Sequence, residues 1–325
     1  MAEVSYREAM TKALREGLTE DERMFIIGED IGPYGGSYGV TAGFLDEFGP
    51  KRIVESPIAE SAMVGIGTGS AMLGLRPVVE IMTINFSLLA LDQIVNHAAK
   101  IRYMSGGQFT VPMIVRTVTG GGAGLAATHS QNLEGWYASV PGLKVVIPAT
   151  PQDALGLFRS VRKETDPVMF IEHILLYSTR GEVTDDYYEI PIGKADVKRE
   201  GQDFSIISYS RMVNVSMAAA DTLSKEGIDV EVVDLRSLRP WDRDTVIQSV
   251  RKTGRALIVE EVWQTGGFGG EIASAIQHEA FDDLDGPVAR LGGLDVPTPY
   301  SASLERLVAP TETTVVEAIR KELAR

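Results

Sequence analysis

The chain has 325 residues, enough for two ordinary domains, and its 44% hydrophobic content with 33 Gly and 15 Pro is that of a globular protein. A formal net charge of −14 argues against nucleic acid as a partner, since phosphate contacts need clustered Lys and Arg, and is compatible with a basic protein partner. The absence of Cys excludes disulfides, thiolate metal sites and a thiol nucleophile.

The first ten residues carry neither a basic leader nor an apolar core, so no signal peptide is expected. Ser5 to Glu8 fits a capping box, and Ala9, Met10, Ala13 and Leu14 form an apolar stripe, which predicts a helix over 5–18. A buried strand over 24–27 ends in GEDIG and is followed by a glycine-rich loop over 32–50, of a length that usually carries function.

Next comes ESPIAES at 55–61, the junction between a strand over 52–55 and a helix running to Leu73. Pro57 disfavours a helical Ser56 and so sharpens the break. Glu60 falls at the start of the helix, beside apolar and small residues and with no basic neighbour in sequence. It reads either as a first-turn carboxylate favoured by the helix dipole or as an acid/base group. Gly65, Gly67 and Gly69 interrupt that helix, and the Gly65/Gly69 face suits close approach of another backbone at an interface.

A strand over 77–82 leads to Phe86, beyond a strand end where ligands of parallel sheets gather, and to an apolar helix over 86–104. Asp92, Asn96, His97, Lys100 and Arg102 interrupt that helix, so it is not a membrane span. After a strand over 111–117, a second glycine loop, 120–124, leads to His129 in the run THSQN. Taken alone, His129 is balanced between a site residue and local hydrogen bonding. His97, His173 and His278 read as structural or surface residues, and no two histidines make a metal pair at helical spacing.

Helices near 131–139 and over 151–164 alternate with strands over 144–148 and 167–173, the pattern of a parallel sheet covered on both faces. The pattern lapses over 178–203, which sets a first domain at 1–185, a linker at 186–202 and a second domain at 203–325. The second domain again alternates: strands over 204–209, 230–235, 256–262 and 288–292, with helices over 212–226, 242–251, 270–281 and 311–324. TGGFGG at 265–270 lacks the spacing of a dinucleotide fingerprint and reads as a tight turn before a helix. The chain has no P-loop, no nucleophile elbow, and no GDG followed by the Asn that would hold a diphosphate through Mg²⁺.

GEDIG, YGGSYGVT, ESPIAES, GLRPVVEIM, NFSLLALDQIVN, KIRYMSGGQ, HSQNLEGWY, VPGLKVVIPATPQDA and EEVWQTGGFGGEI together resemble one family from the first helix to the last. It is the beta subunit of the thiamine-diphosphate-dependent first component of 2-oxo acid dehydrogenase complexes. The resemblance implies an α/β chain of two domains, a transketolase-like pyrimidine-binding domain and a transketolase-type C-terminal domain. It implies an alpha subunit in an α₂β₂ heterotetramer, which brings the diphosphate and Mg²⁺ site, and docking to the dihydrolipoyl acyltransferase core through its basic subunit-binding domain and its lipoyl domain.

By the same resemblance, Glu60 matches the carboxyl that hydrogen-bonds N1′ of the aminopyrimidine, Phe86 the aromatic packed on that ring, and His129 the histidine that assists reductive acylation of the lipoyl group. Some relatives carry a structural potassium ion held largely by carbonyls. That site maps to Met113, Val161, Arg162, Glu164 and Asp166, with Glu164 and Asp166 where some relatives carry Asp and Asn. The expected activity is oxidative decarboxylation of a 2-oxo acid, foremost pyruvate, in the cytoplasm. Branched-chain 2-oxo acid and acetoin dehydrogenases are the near alternatives, and a non-catalytic docking subunit or a nucleotide-binding oxidoreductase the distant ones.

Overall fold

The computed structural model describes residues 2–324, which fall into two compact units: 2–119 with 136–192, and 120–135 with 193–324. In chain order the first stretch holds β1 (Ala2–Ser5), α1 (Tyr6–Glu20), β2 (Met24–Gly28), α2 (Phe44–Phe48), β3 (Ile53–Glu55), α3 (Glu60–Met72) and β4 (Arg76–Ile81). Then follow α4 (Ile101–Met104), β5 (Ile114–Thr119), α5 (Glu134–Ala138), β6 (Lys144–Val146), α6 (Pro151–Val161), β7 (Val168–His173) and β8 (Arg180–Val183).

In the first unit the strands run β6-β7-β5-β4-β2-β3, every neighbouring pair parallel. All their carboxyl ends therefore share one edge of the sheet. The capping box at the start of α1 is present, Ser5 Oγ accepting from Glu8 N–H at 3.2 Å while the Glu8 carboxylate accepts from Ser5 N–H at 2.7 Å. The apolar stripe of α1 lies against α6, and Met10, Leu14, Phe158 and Phe170 are part of one buried cluster.

The second unit carries β9 (Asp196–Arg199), β10 (Phe204–Ser208), α7 (Arg211–Ser224), β11 (Val230–Asp234), β12 (Ser237–Arg239), α8 (Arg243–Thr253), β13 (Ala256–Trp263), α9 (Gly269–Glu279), β14 (Ala289–Gly293), α10 (Ala302–Glu305) and α11 (Glu312–Leu323). Its sheet has the order β14-β13-β10-β11-β9, parallel except for the edge strand β9. TGGFGG is a tight turn into α9. Gly269 donates its N–H to the Glu260 carboxylate at 2.6 Å, and a Cβ on Gly269 would fall 2.1 Å from that carboxylate.

Three features differ from the sequence reading. Residues 120–135, read as part of the first domain, pack with the second unit. Carboxylates of that unit take the loop's amides: Glu261 accepts from Gly121 N–H at 3.0 Å, and Glu305 accepts from Gly122 at 2.8 Å and from Gly124. The stretch 186–202, read as linker, contains β9.

The helix read over 86–104 is broken into a 3-10 turn (Phe86–Ala90), a π-helical turn (Gln93–Ala98) and α4. The Asp92 carboxylate meets Asn96 Nδ2 at 2.7 Å and His97 Nε2 at 3.3 Å, and Ala99 N–H reaches back to Ile94 O at 3.0 Å. Partners four and five residues away from one carboxylate fit a widened turn better than a regular helix. No helix among the described residues is long and apolar enough to cross a membrane.

Candidate functional site

The carboxyl ends of β2, β3 and β4 place three side chains along one edge of the first unit's sheet. Glu29 follows β2, Glu60 opens α3 beyond β3, and Phe86 opens the 3-10 turn beyond β4. Ser56 N–H donates to Gly28 O at 2.9 Å, which turns the chain out of β3 beside the end of β2. Glu55 anchors the loop from below, its carboxylate accepting from the amides of Asp30 and Gly32 at 2.7 Å each.

Glu60 is 4% exposed, at the positive end of α3. Ala59, the capping residue, offers no side-chain acceptor; its own N–H instead bonds the Glu29 carboxylate. Glu29 is 7% exposed, and its Oε1 is buried without a hydrogen-bond partner. Burial, then the charges of Glu60 and Asp30, push the Glu29 carboxyl above its ordinary range, against the opposing bond from Ala59. Two buried carboxyls thus lie close enough for the charge of one to act on the other. Beside them opens a cleft of about 610 Å³ lined by Ala59, Glu60, Ser61, Gly65, Leu89 and Gln93.

Phe86 is half-buried on a well-anchored turn. Ser87 Oγ bonds Ile84 O and the Tyr137 hydroxyl, each at 2.5 Å, and Asn85 Nδ2 donates to Thr83 Oγ1 at 2.7 Å. Burial pushes the Tyr137 hydroxyl up to about 12, so it stays a neutral partner for Ser87. The 3-10 and π-helical turns both pack on α3.

His129 belongs to the second unit, on the glycine loop that Glu261 and Glu305 hold. It is exposed; its N–H donates to Ala126 O at 3.2 Å and its Nδ1 meets Thr128 Oγ1 at 2.9 Å. Of the other histidines, His173 is buried and accepts from Leu175 N–H, and His278 lies exposed on α9. Among the described residues no group of three His, Cys, Asp or Glu is placed to hold a metal ion.

The sequence reading did not single out Glu29. GED at the end of a strand is a visible signal, but nothing local tells that Glu29 meets a helix opening thirty residues on. Arg76 was likewise missed, and it bears on the potassium expectation. Arg76 Nη1 donates to the carbonyl oxygens of Arg162 at 2.7 Å and Glu164 at 3.0 Å. Met113 O accepts from Val168 N–H and Val161 O from Glu164 N–H, both at 3.0 Å. Lys144 Nζ pairs with the Glu164 carboxylate, and Arg102 Nη1 with that of Asp166 at 2.7 Å. Three cations, Arg76, Lys144 and Arg102, thus lie among the residues mapped for potassium, and Met113, Val161, Arg162 and Asp166 help line a cavity of about 350 Å³ there.

Two family models match the chain: the transketolase pyrimidine binding domain over residues 2–179 and the transketolase C-terminal domain over 193–315. The pyruvate dehydrogenase E1 component subunit beta-2, mitochondrial, of Oryza sativa subsp. japonica is 47% identical over 99% of this chain and 87% of its own length. The pyruvate dehydrogenase E1 component subunit beta of Rickettsia felis is 44% identical over 98% of each chain. Among solved structures, a split-gene transketolase described as an inactive beta4 tetramer superposes with a TM-score of 0.80 at 25% identity, over 99% of this chain and 98% of its own. With both transketolase-type domains in order and near-complete coverage by such relatives, the chain belongs to the family of pyruvate dehydrogenase E1 beta subunits.

Proposed function

We propose that this chain is the beta subunit of a pyruvate dehydrogenase that, together with an alpha subunit, decarboxylates pyruvate oxidatively and transfers the acetyl unit to lipoyl-lysine of an acyltransferase core. The observation that carries the reading is the buried Glu60–Glu29 pair beside an open cleft, at the carboxyl edge of a parallel sheet.

These residues fit the pyrimidine end of thiamine diphosphate, because a basic ring nitrogen asks for a proton-holding carboxyl and Glu29 keeps an unpartnered buried oxygen beside Glu60. When bound, thiamine diphosphate supplies the electron sink that decarboxylation of a 2-oxo acid needs. Glu60 would hold a proton at the pyrimidine N1′, Glu29 would keep that proton shared at the start of α3, and Phe86 would lie on the ring. His129 would assist acyl transfer to the lipoyl group. The diphosphate and Mg²⁺ fall to the alpha subunit, in keeping with the missing GDG motif.

Several observations support an α₂β₂ assembly. On α3 a Cβ at Gly69 would meet nothing within 4 Å and one at Gly65 only Gln93, which leaves a face open to another backbone. The split-gene transketolase is described as an inactive beta4 tetramer, which fits a need for a second kind of chain. The net charge of −14 suits the basic subunit-binding domain of an acyltransferase core. The relatives from Oryza sativa, Rhizobium meliloti and Rickettsia felis are named for pyruvate, which favours that substrate and a catalytic over a merely docking role. A cytoplasmic location completes the reading.

The test is decarboxylase activity with an artificial electron acceptor, thiamine diphosphate and Mg²⁺, for the chain alone and co-purified with its alpha subunit. Pyruvate is compared with 3-methyl-2-oxobutanoate and acetoin. Turnover only in the mixture, and fastest with pyruvate, is the expected result. Preference for another acid would overturn the substrate, and an assembled tetramer that does not bind the cofactor would overturn the catalytic reading.

A further inference from the structure

We propose that Glu305 is a positioning residue for acyl transfer, its carboxylate filling an anion nest in the backbone of the glycine loop and so setting where His129 stands; this rests on the role proposed for His129. The loop's own geometry makes the nest. Gly120, Gly122, Gly124 and Ala126 have φ of +94°, +95°, +70° and +65°, so every second residue is left-handed. Alternation of that kind turns neighbouring N–H groups towards one side, a concavity suited to a negative charge. Glycine adopts such angles freely, but at Ala126 the Cβ opposes them, and outside contacts must hold the chain there. Ala126 O accepts from His129 N–H at 3.2 Å, which passes the loop's shape directly to the histidine.

The charge comes from the far end of the same unit. Glu305 closes α10 and is 7% exposed. Its Oε1 accepts from Gly122 N–H at 2.8 Å, and Gly124 N–H is shared between Oε1 at 3.3 Å and Oε2 at 3.1 Å. No Lys, Arg or His among the described residues forms an ion pair with it, so the loop amides are what keeps this buried carboxylate solvated. Glu261 differs: it takes Gly121 N–H at 3.0 Å but is also paired with Arg211 at 3.3 Å.

The segment that carries Glu305 holds the loop beyond His129 as well. Thr298 Oγ1 donates to Ser130 O at 3.3 Å, and a Cβ on Gly121 would lie 3.5 Å from Ser130 Cβ and 3.8 Å from Glu305 Oε1. The segment is itself fixed to the end of β14, since Leu294 N–H donates to Val308 O at 2.8 Å and Glu305 N–H to Ser301 O at 2.8 Å. His129 therefore sits between two attachments to one anchored stretch, and the nest is the one that depends on charge. Glu60 and Phe86 belong to the first unit's sheet edge, so loss of the nest bears on transfer rather than on decarboxylation.

Glu305→Ala leaves room for a small carboxylate, which formate supplies. In the enzyme assembled with its alpha subunit, pyruvate decarboxylation is followed with an artificial acceptor, and acetylation of a lipoyl domain by mass spectrometry. Acetylation is expected to fall roughly tenfold or more beyond any fall in decarboxylation, and sodium formate, but not sodium chloride at equal ionic strength, to restore part of it. Equal losses, no loss, or a loss that formate does not relieve would overturn the proposal. In the full chain alone, Glu305→Ala should speed amide exchange over 121–129 roughly tenfold while β10 and β13 keep their protection, and unchanged loop exchange would also overturn it. Glu305→Gln, of the same size but uncharged, gives the same two readings if Glu305→Ala does not fold. An unsubstituted assembly that turns over no 2-oxo acid would sink the pyruvate dehydrogenase reading, and amide exchange would still decide the nest.

Discussion

At the scale of single residues the site depends on carboxyls kept out of water. Glu60 at the first turn of α3 gains from the helix dipole, and its charge acts on Glu29, the second buried carboxyl at this edge. Glu60→Gln keeps size and polarity while removing the carboxyl. It is expected to lower turnover of the assembled enzyme by roughly 10²- to 10⁴-fold with little change in thermal midpoint, as steady-state assays and calorimetry would show.

Glu29 carries a pH signature. Its folded-state pKa is raised above the ordinary 4.5, so the folded chain holds this proton more tightly than the unfolded one. The associated stability is fully present below pH 4.5 and is lost as pH rises through the folded value. Glu29→Gln should remove that loss. The difference in unfolding free energy, variant minus unsubstituted chain, is expected to grow with pH across this window and then level off. A flat difference in chemical-denaturation series would contradict the assignment.

At the scale of elements, the glycines of α3 divide by face. Gly67 points into the sheet, where a Cβ would fall 2.6 Å from Val79 Cγ2 and 2.8 Å from Met113 Sδ. Gly67→Ala is expected to destabilise the chain by about 1–3 kcal/mol, because overpacking outweighs the better helix propensity of Ala. Gly65→Ala meets nothing closer than Gln93 Oε1 at 3.6 Å and should leave the isolated chain unchanged or stabilise it by up to about 1 kcal/mol. If the open face serves assembly, Gly65→Ala will instead weaken heterotetramer formation, which sedimentation velocity would detect.

The strands are joined by charge as well as by hydrogen bonds. Buried Arg116 on β5 pairs with Glu80 on β4 and Glu172 on β7, and also reaches the Tyr177 hydroxyl at 3.2 Å. Burial works to lower the Arg116 pKa, but Glu172 and Glu80 outweigh it and hold the guanidinium charged.

At the scale of the whole molecule, the chain is acidic, with a formal net charge of −14. Electrostatic steering towards a basic subunit-binding domain predicts binding that weakens roughly tenfold or more as salt rises from about 50 to 500 mM, measured by titration calorimetry. Binding insensitive to salt would remove the charge argument. The family assignment does not depend on this, since it rests on both transketolase-type domains and near-complete coverage by relatives.

Periodicity and punctuation in the sequence determined the alternation of strands and helices, the capping of α1, the break before α3 and the turn at TGGFGG. These are set by contacts within a few residues, where pattern and chemistry coincide. The motif order also pointed to Glu60, Phe86 and His129. Only the tertiary structure decided the rest, because each remaining feature joins residues far apart in sequence. The carboxylates of Glu261 and Glu305 draw the loop of His129 into the second unit. The Asp92 contacts widen a helix whose hydrophobic pattern looked regular. Glu29 comes within electrostatic reach of Glu60 because parallel strands bring their carboxyl ends to one edge, and Arg76 meets carbonyls nearly ninety positions away because the same sheet gathers the amino ends at the other.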